Sequence, residues 1–243
     1  MHFLEIEGLC KSFGGLMAIN DLGFEVVEGE IIGLIGPNGS GKTTTLNLLT
    51  GFLKPDSGTI TFRGENITGL PRCQACHKGM ARTFQLVKPF LHFTALQNVT
   101  VGRAYGREPT RNLKVAAEES RELLEWVGLL DKAEVLAKNL TLMQRKRLEL
   151  ARALAARPQL LLLDELMAGL NPGEIEEAMQ LIKQIRDLRI TIVVVEHIVK
   201  AILGLSDRII VLNMGEKIAE GPPQEIVHNP QVIEVYLGQA HHA

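Results

Sequence analysis

The sequence GPNGSGKT at residues 36–43 fits the pattern G-x-x-x-x-G-K-[ST] at every fixed position. An apolar run at residues 30–35 precedes it, and a helical pattern at residues 44–49 follows it. Glycines at this spacing allow successive backbone N–H groups to turn toward phosphate oxygens, and the N-terminus of the following helix adds a positive dipole end. The sequence therefore predicts a nucleotide phosphate site made by Gly36, Pro37, Asn38, Gly39, Ser40, Gly41, Lys42, Thr43 and Thr44.

A pair of carboxylates is predicted to complete this site. The apolar run at residues 160–164 ends in Asp164, and Glu165 follows it. Open α/β sheets bind ligands at the C-terminal ends of their parallel strands, so we expect the pair to face the phosphates. Lys42 is predicted to contact the β- and γ-phosphates, while Thr43 and Asp164 hold Mg²⁺. Glu165 is predicted to polarise an attacking water, a different role, because neighbouring residues of a strand point to opposite sides.

Short apolar runs alternate with longer helical patterns, which predicts an α/β fold with a mostly parallel sheet. The core runs are apolar on both faces, as in a sheet covered by helices on each side, and lie at residues 30–35, 160–164 and 191–196. Alternating runs predict a small antiparallel β subdomain at residues 3–7, 24–27 and 59–62. Two later runs predict a hairpin at residues 208–213 and 217–220.

Helical patterns replace strand patterns in the middle of the chain, notably at residues 111–127 and 144–154. We interpret this part as a helical subdomain inserted into the core. The predicted organisation is a single domain over residues 1–243. Its α/β core, with the N-terminal antiparallel sheet, takes residues 1–85 and 155–243, and the helical subdomain takes residues 86–154.

Composition excludes several classes of protein. The 243 residues are 46% apolar and 22% charged, which is typical of one large globular domain. Lysine and arginine number 26 against 28 aspartate and glutamate, so the basic surface of a nucleic-acid-binding protein is missing and no such partner is expected. Three cysteines indicate a reducing compartment. No signal-peptide pattern and no run of about 18 apolar residues is seen, so a soluble, cytoplasmic protein is expected.

Further motifs appear in a fixed order around the phosphate loop: Phe13 in KSFGG, Gln85 in ARTFQ, AGLNP at residues 168–172, and His197 after an apolar run. With them, nearly the whole chain resembles the ATP-binding subunit of ABC transporters, with a P-loop, RecA-like core. The resemblance implies that Phe13 stacks on the adenine of ATP and that His197 contacts the γ-phosphate. It also implies that Gln85 senses Mg²⁺ and the attacking water and couples the site to a membrane subunit.

The signature segment departs from this family. The family usually has Leu-Ser-Gly-Gly-Gln, and this chain has LTLMQ at residues 140–144. The resemblance implies that Thr141 and Gln144, at the start of a helix, contact the nucleotide of a second subunit. Leu142 and Met143 replace both glycines, so we expect weaker anion binding. The alternative is that they pack inward and the segment contacts no nucleotide.

Two single residues and one basic run are also relevant to the prediction. Leu166 stands where a proline commonly follows the catalytic glutamate, and Asn171 stands where the D-loop often has aspartate. The basic run Arg145-Lys146-Arg147, on the helix after the signature, is expected to be a solvated face.

Within the family, the chain most resembles branched-chain amino acid importers, at residues 13–16, 47–51, 81–85 and 167–172. Such importers imply two multi-spanning permease subunits, a second ATP-binding subunit and an extracytoplasmic solute-binding protein. They also imply a peripheral position on the cytoplasmic face of the inner membrane. Importers of urea or short amides share these stretches and remain an alternative. A second alternative is a regulatory module that binds ATP without hydrolysing it. The altered signature favours this alternative, whereas the presence of Glu165 and His197 argues against it.

Overall fold

The computed structural model describes residues 2–85 and 88–237 of the chain. Its strands, in chain order, are β1 (Leu4–Phe13), β2 (Leu16–Val26), β3 (Ile31–Ile35), β4 (Ser57–Phe62), β5 (Glu65–Asn66), β6 (Met80–Arg82), β7 (Leu160–Asp164), β8 (Thr191–Val195), β9 (Arg208–Asn213) and β10 (Glu216–Gly221). Its α-helices are α1 (Lys42–Leu49), α2 (Arg72–His77), α3 (Ala95–Tyr105), α4 (Leu113–Trp126), α5 (Leu142–Ala155), α6 (Pro172–Asp187), α7 (Val199–Leu205), α8 (Pro223–Ile226) and α9 (Pro230–Leu237).

The larger sheet confirms the predicted parallel core. Its strand order is β10-β9-β3-β8-β7-β6, and all neighbours are parallel except β10 and β9. Every residue of β7 and β8 is buried because helices cover both faces. Side chains alternate between two apolar clusters: Leu160 packs in one with Leu46 of α1, and Leu161 packs in the other with Ile182 of α6. The carboxyl ends of these strands therefore meet beside the N-terminus of α1.

The predicted antiparallel sheet is also present, in the order β2-β1-β4-β5. Its apolar face belongs to the same buried cluster as α1, through residues such as Leu4, Phe24 and Phe62. The sheet extends further than the alternating runs predicted, because β1 and β2 continue past register shifts to the turn after Phe13. This extension brings Phe13 to the site described below.

The predicted hairpin forms one edge of the larger sheet. β9 and β10 are joined by Met214 and Gly215, whose φ angles of +48° and +85° are the positive values that two-residue hairpin turns need. The second strand begins at Glu216, one residue before its predicted start at Lys217. The Gly215 N–H donates to the carbonyl oxygen of Ser40 at 3.0 Å, so the turn holds the phosphate loop from outside.

Helices α3, α4 and α5 lie between β6 and β7 in the chain and share an apolar cluster that includes Val99, Leu124 and Leu148. Asn112 and Thr141 cap α4 and α5 through their side chains, which places both helix starts within two residues of prediction. The division of the chain at residues 85 and 155 stays a prediction, and residues 86 and 87 lie outside the described part. Among the described residues, no helix is both long and apolar enough to cross a membrane.

Candidate functional site

The phosphate loop, residues 36–43, connects the end of β3 to the start of α1. Gly36 has a φ of +149°, and an added Cβ would lie 2.1 Å from the carbonyl oxygen of Leu212, so a side chain does not fit there. The buried Nζ of Lys42 donates to the carbonyl oxygens of Gly36 at 2.7 Å and Pro37 at 2.8 Å. Burial lowers the pKa of Lys42, and the charges of two nearby carboxylates oppose that change.

A cavity of about 790 Å³ opens over this loop and gathers most of the predicted site residues. Its lining includes Phe13, Asn38, Gly39, Ser40, Gly41, Lys42, Thr43, Thr44, Gln85, Glu165 and His197. The Phe13 side chain is 46% exposed, so its ring is available for stacking at the edge of the cavity. Gly36 and Pro37 do not line the cavity, because their backbone turns behind the loop and accepts the Lys42 hydrogen bonds.

Glu165 is held on both carboxylate oxygens. Its Oε1 lies 2.6 Å from Nε2 of His197, and its Oε2 accepts a hydrogen bond from Nε2 of Gln85 at 2.6 Å. The residue follows β7 with a φ of +49°, a left-handed conformation that costs a non-glycine residue on the order of 1–3 kcal/mol. Because β7 ends at Asp164 and Glu165 begins this turn, the two carboxylates have different partners: Asp164 pairs with Arg82, whereas Glu165 contacts His197 and Gln85. The alternation of strand residues, on which the predicted difference rested, does not extend to Glu165.

Asp164 is buried and forms an ion pair with Arg82, with Oδ2 2.6 Å from Nη2. Arg82 also donates to Oδ1 of Asn47 at 2.6 Å. Oδ1 of Asp164 is buried and has no hydrogen-bond partner among residues 2–85 and 88–237. A free carboxylate oxygen, with the Thr43 hydroxyl and the Gln85 amide in the adjoining cavity, fits Mg²⁺, which proteins bind through one or two carboxylates together with substrate phosphates.

Thr141 and Gln144 do not line this cavity. They form a capping box at the start of α5: Oγ1 of Thr141 accepts from the Gln144 N–H at 3.3 Å, and Oε1 of Gln144 accepts from the Thr141 N–H at 2.9 Å. Leu142 is 49% exposed, so it does not pack inward as the alternative required, whereas Met143 is half-buried. Asn171 caps α6 and accepts from the Glu174 N–H at 3.0 Å, a bond that its amide oxygen provides without a charge.

Four residues that sequence reasoning missed surround the site. Arg82 pairs with Asp164 as described above. The predicted solvated face is wrong for Lys146, which is 4% exposed because its ammonium donates to main-chain carbonyl oxygens of the core. The other two are buried glutamates. Glu149 accepts from the Phe84 N–H at 3.0 Å, and Glu196 accepts from the Met167 N–H at 2.7 Å.

Burial is the main reason why both missed carboxyl groups hold their protons more tightly than usual. It raises the pKa of Glu149 to about 7 and that of Glu196 to about 6. The available sequence signal was the position of Lys146 and Glu149 at i and i+3 on one face of α5, among residues that are otherwise apolar.

Comparisons with known proteins agree with this geometry. The family described as "ABC transporter" matches residues 19–168, and the one described as "Branched-chain amino acid ATP-binding cassette transporter" matches residues 216–242. The chain is 44% identical over 250 residues to the high-affinity branched-chain amino acid transport ATP-binding protein LivG of Salmonella typhimurium, with 98% of each chain covered.

Solved structures with the same fold include ATP-binding cassettes of ABC transporters. The ADP conformation of MJ1267 has a TM-score of 0.88 and 31% identity, and the match covers 98% of this chain and 99% of that one. The dimeric structure of MJ0796 bound to ADP and Pi has a TM-score of 0.82 and 26% identity, and it covers 90% of this chain and 98% of that one.

Proposed function

The chain belongs to the ABC transporter family of ATP-binding proteins, and from that premise we propose that its ATP hydrolysis drives the import of branched-chain amino acids. The observation that carries the hydrolytic half is the Glu165 carboxylate, held between His197 and Gln85 in the cavity of the phosphate loop. The observations that support the imported solute are the match at residues 216–242 and the name of the LivG relative.

Nucleotide binding uses the two ends of the cavity. Phe13 stacks on the adenine at the exposed end. At the other end, the loop N–H groups and the N-terminus of α1 face the phosphates. Lys42 exchanges its bonds to the carbonyl oxygens of the loop for bonds to phosphate oxygens. Its low exposure to water strengthens the attraction between the ammonium group and the phosphates.

Hydrolysis depends on the orientation of water by Glu165. A carboxylate that accepts from Gln85 and contacts His197 has a fixed direction, so it can hold an attacking water in line with the γ-phosphate. Thr43, Gln85 and Asp164 would hold Mg²⁺. When bound, Mg²⁺ neutralises charge that develops on the β- and γ-phosphate oxygens.

We assign Thr141 and Gln144 to the nucleotide of a second ATP-binding subunit, identical or different, in a head-to-tail dimer. The absence of both residues from the lining of the chain's own cavity supports this assignment. The relative MJ0796 is dimeric with ADP and Pi. ATP binding would close such a dimer and hydrolysis would reopen it, so the chemistry gates a conformational cycle.

The remaining partners are two multi-spanning permease subunits and, indirectly, an extracytoplasmic solute-binding protein. The chain would sit peripherally on the cytoplasmic face of the inner membrane. A surface beside Gln85 supports permease docking: Phe52 and Phe84 pack edge to face, and Arg72 lies over the Phe52 ring at 4.8 Å. Urea or short amides as solutes, and a regulatory module without hydrolysis, are the competing functions.

Replacement of the predicted general base tests the hydrolytic half. Glu165→Gln removes the carboxylate and keeps its size, so ATP binding should stay within about twofold while turnover falls by at least about 100-fold. The matched control is Glu125→Gln, at an exposed glutamate of α4, which should leave both unchanged. Turnover by Glu165→Gln at the wild-type rate would refute the assignment.

Purification of the tagged chain from detergent-solubilised membranes tests the transport half. Mass spectrometry should identify two multi-spanning subunits and a second ATP-binding subunit. Recovery of the chain with soluble proteins alone would favour the regulatory module.

A further inference from the structure

We propose that Lys146, on the helix that begins at the variant signature, is a positioning residue for Glu165. The proposal rests on the ATP hydrolysis proposed above and adds a residue to it. Lys146 lies in α5 and does not line the cavity of the phosphate loop, where the nucleotide and the attacking water are proposed to bind. Its effect passes through the backbone of the catalytic turn, defined here as residues 165–167.

The contacts of Lys146 are made with this turn. Its Nζ donates to the carbonyl oxygen of Leu166 at 2.6 Å and to that of Glu165 at 3.3 Å. The side chain is 4% exposed, so these charge-assisted bonds take the place of water. Burial lowers the pKa of Lys146, and the charges of Glu196, Glu149 and Glu165 oppose that change, so the ammonium form has nearby anionic support.

The catalytic turn needs such support because Glu165 has a left-handed φ of +49°. Leu166 lacks the fixed φ that a proline would give to the turn. Locally, the Ala168 N–H also donates to the Glu165 carbonyl oxygen at 3.2 Å. From other parts of the described chain, two contacts hold the same turn: the Glu165 N–H donates to the Val195 carbonyl oxygen at 2.8 Å, and the Met167 N–H donates to Oε1 of Glu196 at 2.7 Å. Both come from β8 or the residue after it, whereas Lys146 is the contact that comes from α5.

The same helix also contacts the segment that carries Gln85, whose amide donates to the Glu165 carboxylate. Glu149, one turn after Lys146, accepts from the N–H of Phe84, the neighbour of Gln85. Helix α5 therefore holds the backbone of Glu165 directly and the backbone next to Gln85. Since the first residues of α5 are those assigned to the nucleotide of a second subunit, a movement of α5 would change the direction of the Glu165 carboxylate in this chain.

The test is the steady-state ATPase of the complex that copurifies with the chain, carrying Lys146→Met, Lys146→Gln or Lys146→Arg. The two neutral variants should lower kcat by about 10- to 100-fold, because a small misplacement of a catalytic group has effects of that size. Their KM for ATP and their Kd for a fluorescent ATP analogue should stay within about twofold of the wild type. Lys146→Arg keeps a cationic donor and should recover most of kcat. The control is Arg147→Met, at the next residue of α5, whose guanidinium bonds to Val127 and Glu177 instead of the turn.

Each outcome decides the question. A neutral variant that binds nucleotide normally and turns over at the wild-type rate overturns the proposal. So does a loss of nucleotide binding in both neutral variants, because the residue would then serve the fold alone. A fall in kcat that Lys146→Arg does not relieve overturns it as well. Failure of the wild type itself to hydrolyse ATP in this assay would instead count against the proposed function.

Discussion

Substitution of Glu149 by glutamine should stabilise the protein, and the gain should grow with pH. Glu149 is 2% exposed; its Oε1 accepts from the Phe84 N–H, and its Oε2 has no hydrogen-bond partner among the described residues. Burial raises its pKa from 4.5 to about 7. The folded protein therefore favours the protonated carboxyl group. That favourable contribution is complete below pH 4.5 and is lost as the pH rises through about 7.

The size of the effect follows from the two pKa values. At about 1.4 kcal/mol for each pKa unit, ionised Glu149 costs the folded state about 3 kcal/mol at pH 8 and about 1 kcal/mol at pH 5. Glutamine keeps the acceptor for the Phe84 N–H and cannot ionise, so Glu149→Gln removes the cost.

Urea unfolding followed by circular dichroism at both pH values measures this difference. The free energy of unfolding of Glu149→Gln, minus that of the wild type, should be about 1 kcal/mol at pH 5 and about 3 kcal/mol at pH 8. The control Glu125→Gln, at an exposed position, should change the free energy of unfolding by the same small amount at both pH values. A difference for Glu149→Gln that does not change with pH would refute the argument, because Glu149 would then titrate alike in the folded and unfolded chain.

Two further predictions concern the nucleotide. Phe13→Ala removes the stacking surface and should raise the Kd for ATP about tenfold, while leaving the Kd for inorganic tripolyphosphate unchanged in the same calorimetric titration; equal losses for both ligands would show that the ring does not contact adenine. Met143→Gly restores close backbone approach at the start of α5 and should raise the ATPase rate of the assembled complex, by up to about twofold if only one of its two sites hydrolyses. An unchanged rate would contradict the expectation that Met143 limits the opposite site.

The sequence predicted the fold where the pattern was strong. The predicted strand at residues 160–164 coincides with β7. Its residues are apolar on both faces, a pattern typical of a strand in the interior of a sheet that helices cover on each side. The phosphate loop was identified because its glycines and Lys42 serve one local geometry. The meeting of Gln85 and His197 at Glu165 was implied only by the resemblance, since the three are far apart in the chain.

The missed residues share a physical cause. Charged side chains are almost always solvated, so pattern reasoning assigns a residue such as Lys146 to the surface. What places it in the core is a pair of carbonyl oxygens at Glu165 and Leu166, which become available only through the left-handed turn after β7. Arg82 was missed for a similar reason, because its partner Asp164 lies on the neighbouring strand β7 and is 82 positions away in the sequence.

Uptake by the reconstituted complex tests the central claim most directly. Proteoliposomes would contain the chain with its copurified permease and ATP-binding subunits, ATP on the chain's side and the solute-binding protein on the other. Radiolabelled leucine should accumulate only with ATP, and Glu165→Gln should abolish the accumulation. Unlabelled isoleucine or valine should compete, whereas urea and acetamide should not. The account would be contradicted if leucine uptake were the same without ATP or with Glu165→Gln. It would also be contradicted if urea competed with leucine and isoleucine and valine did not.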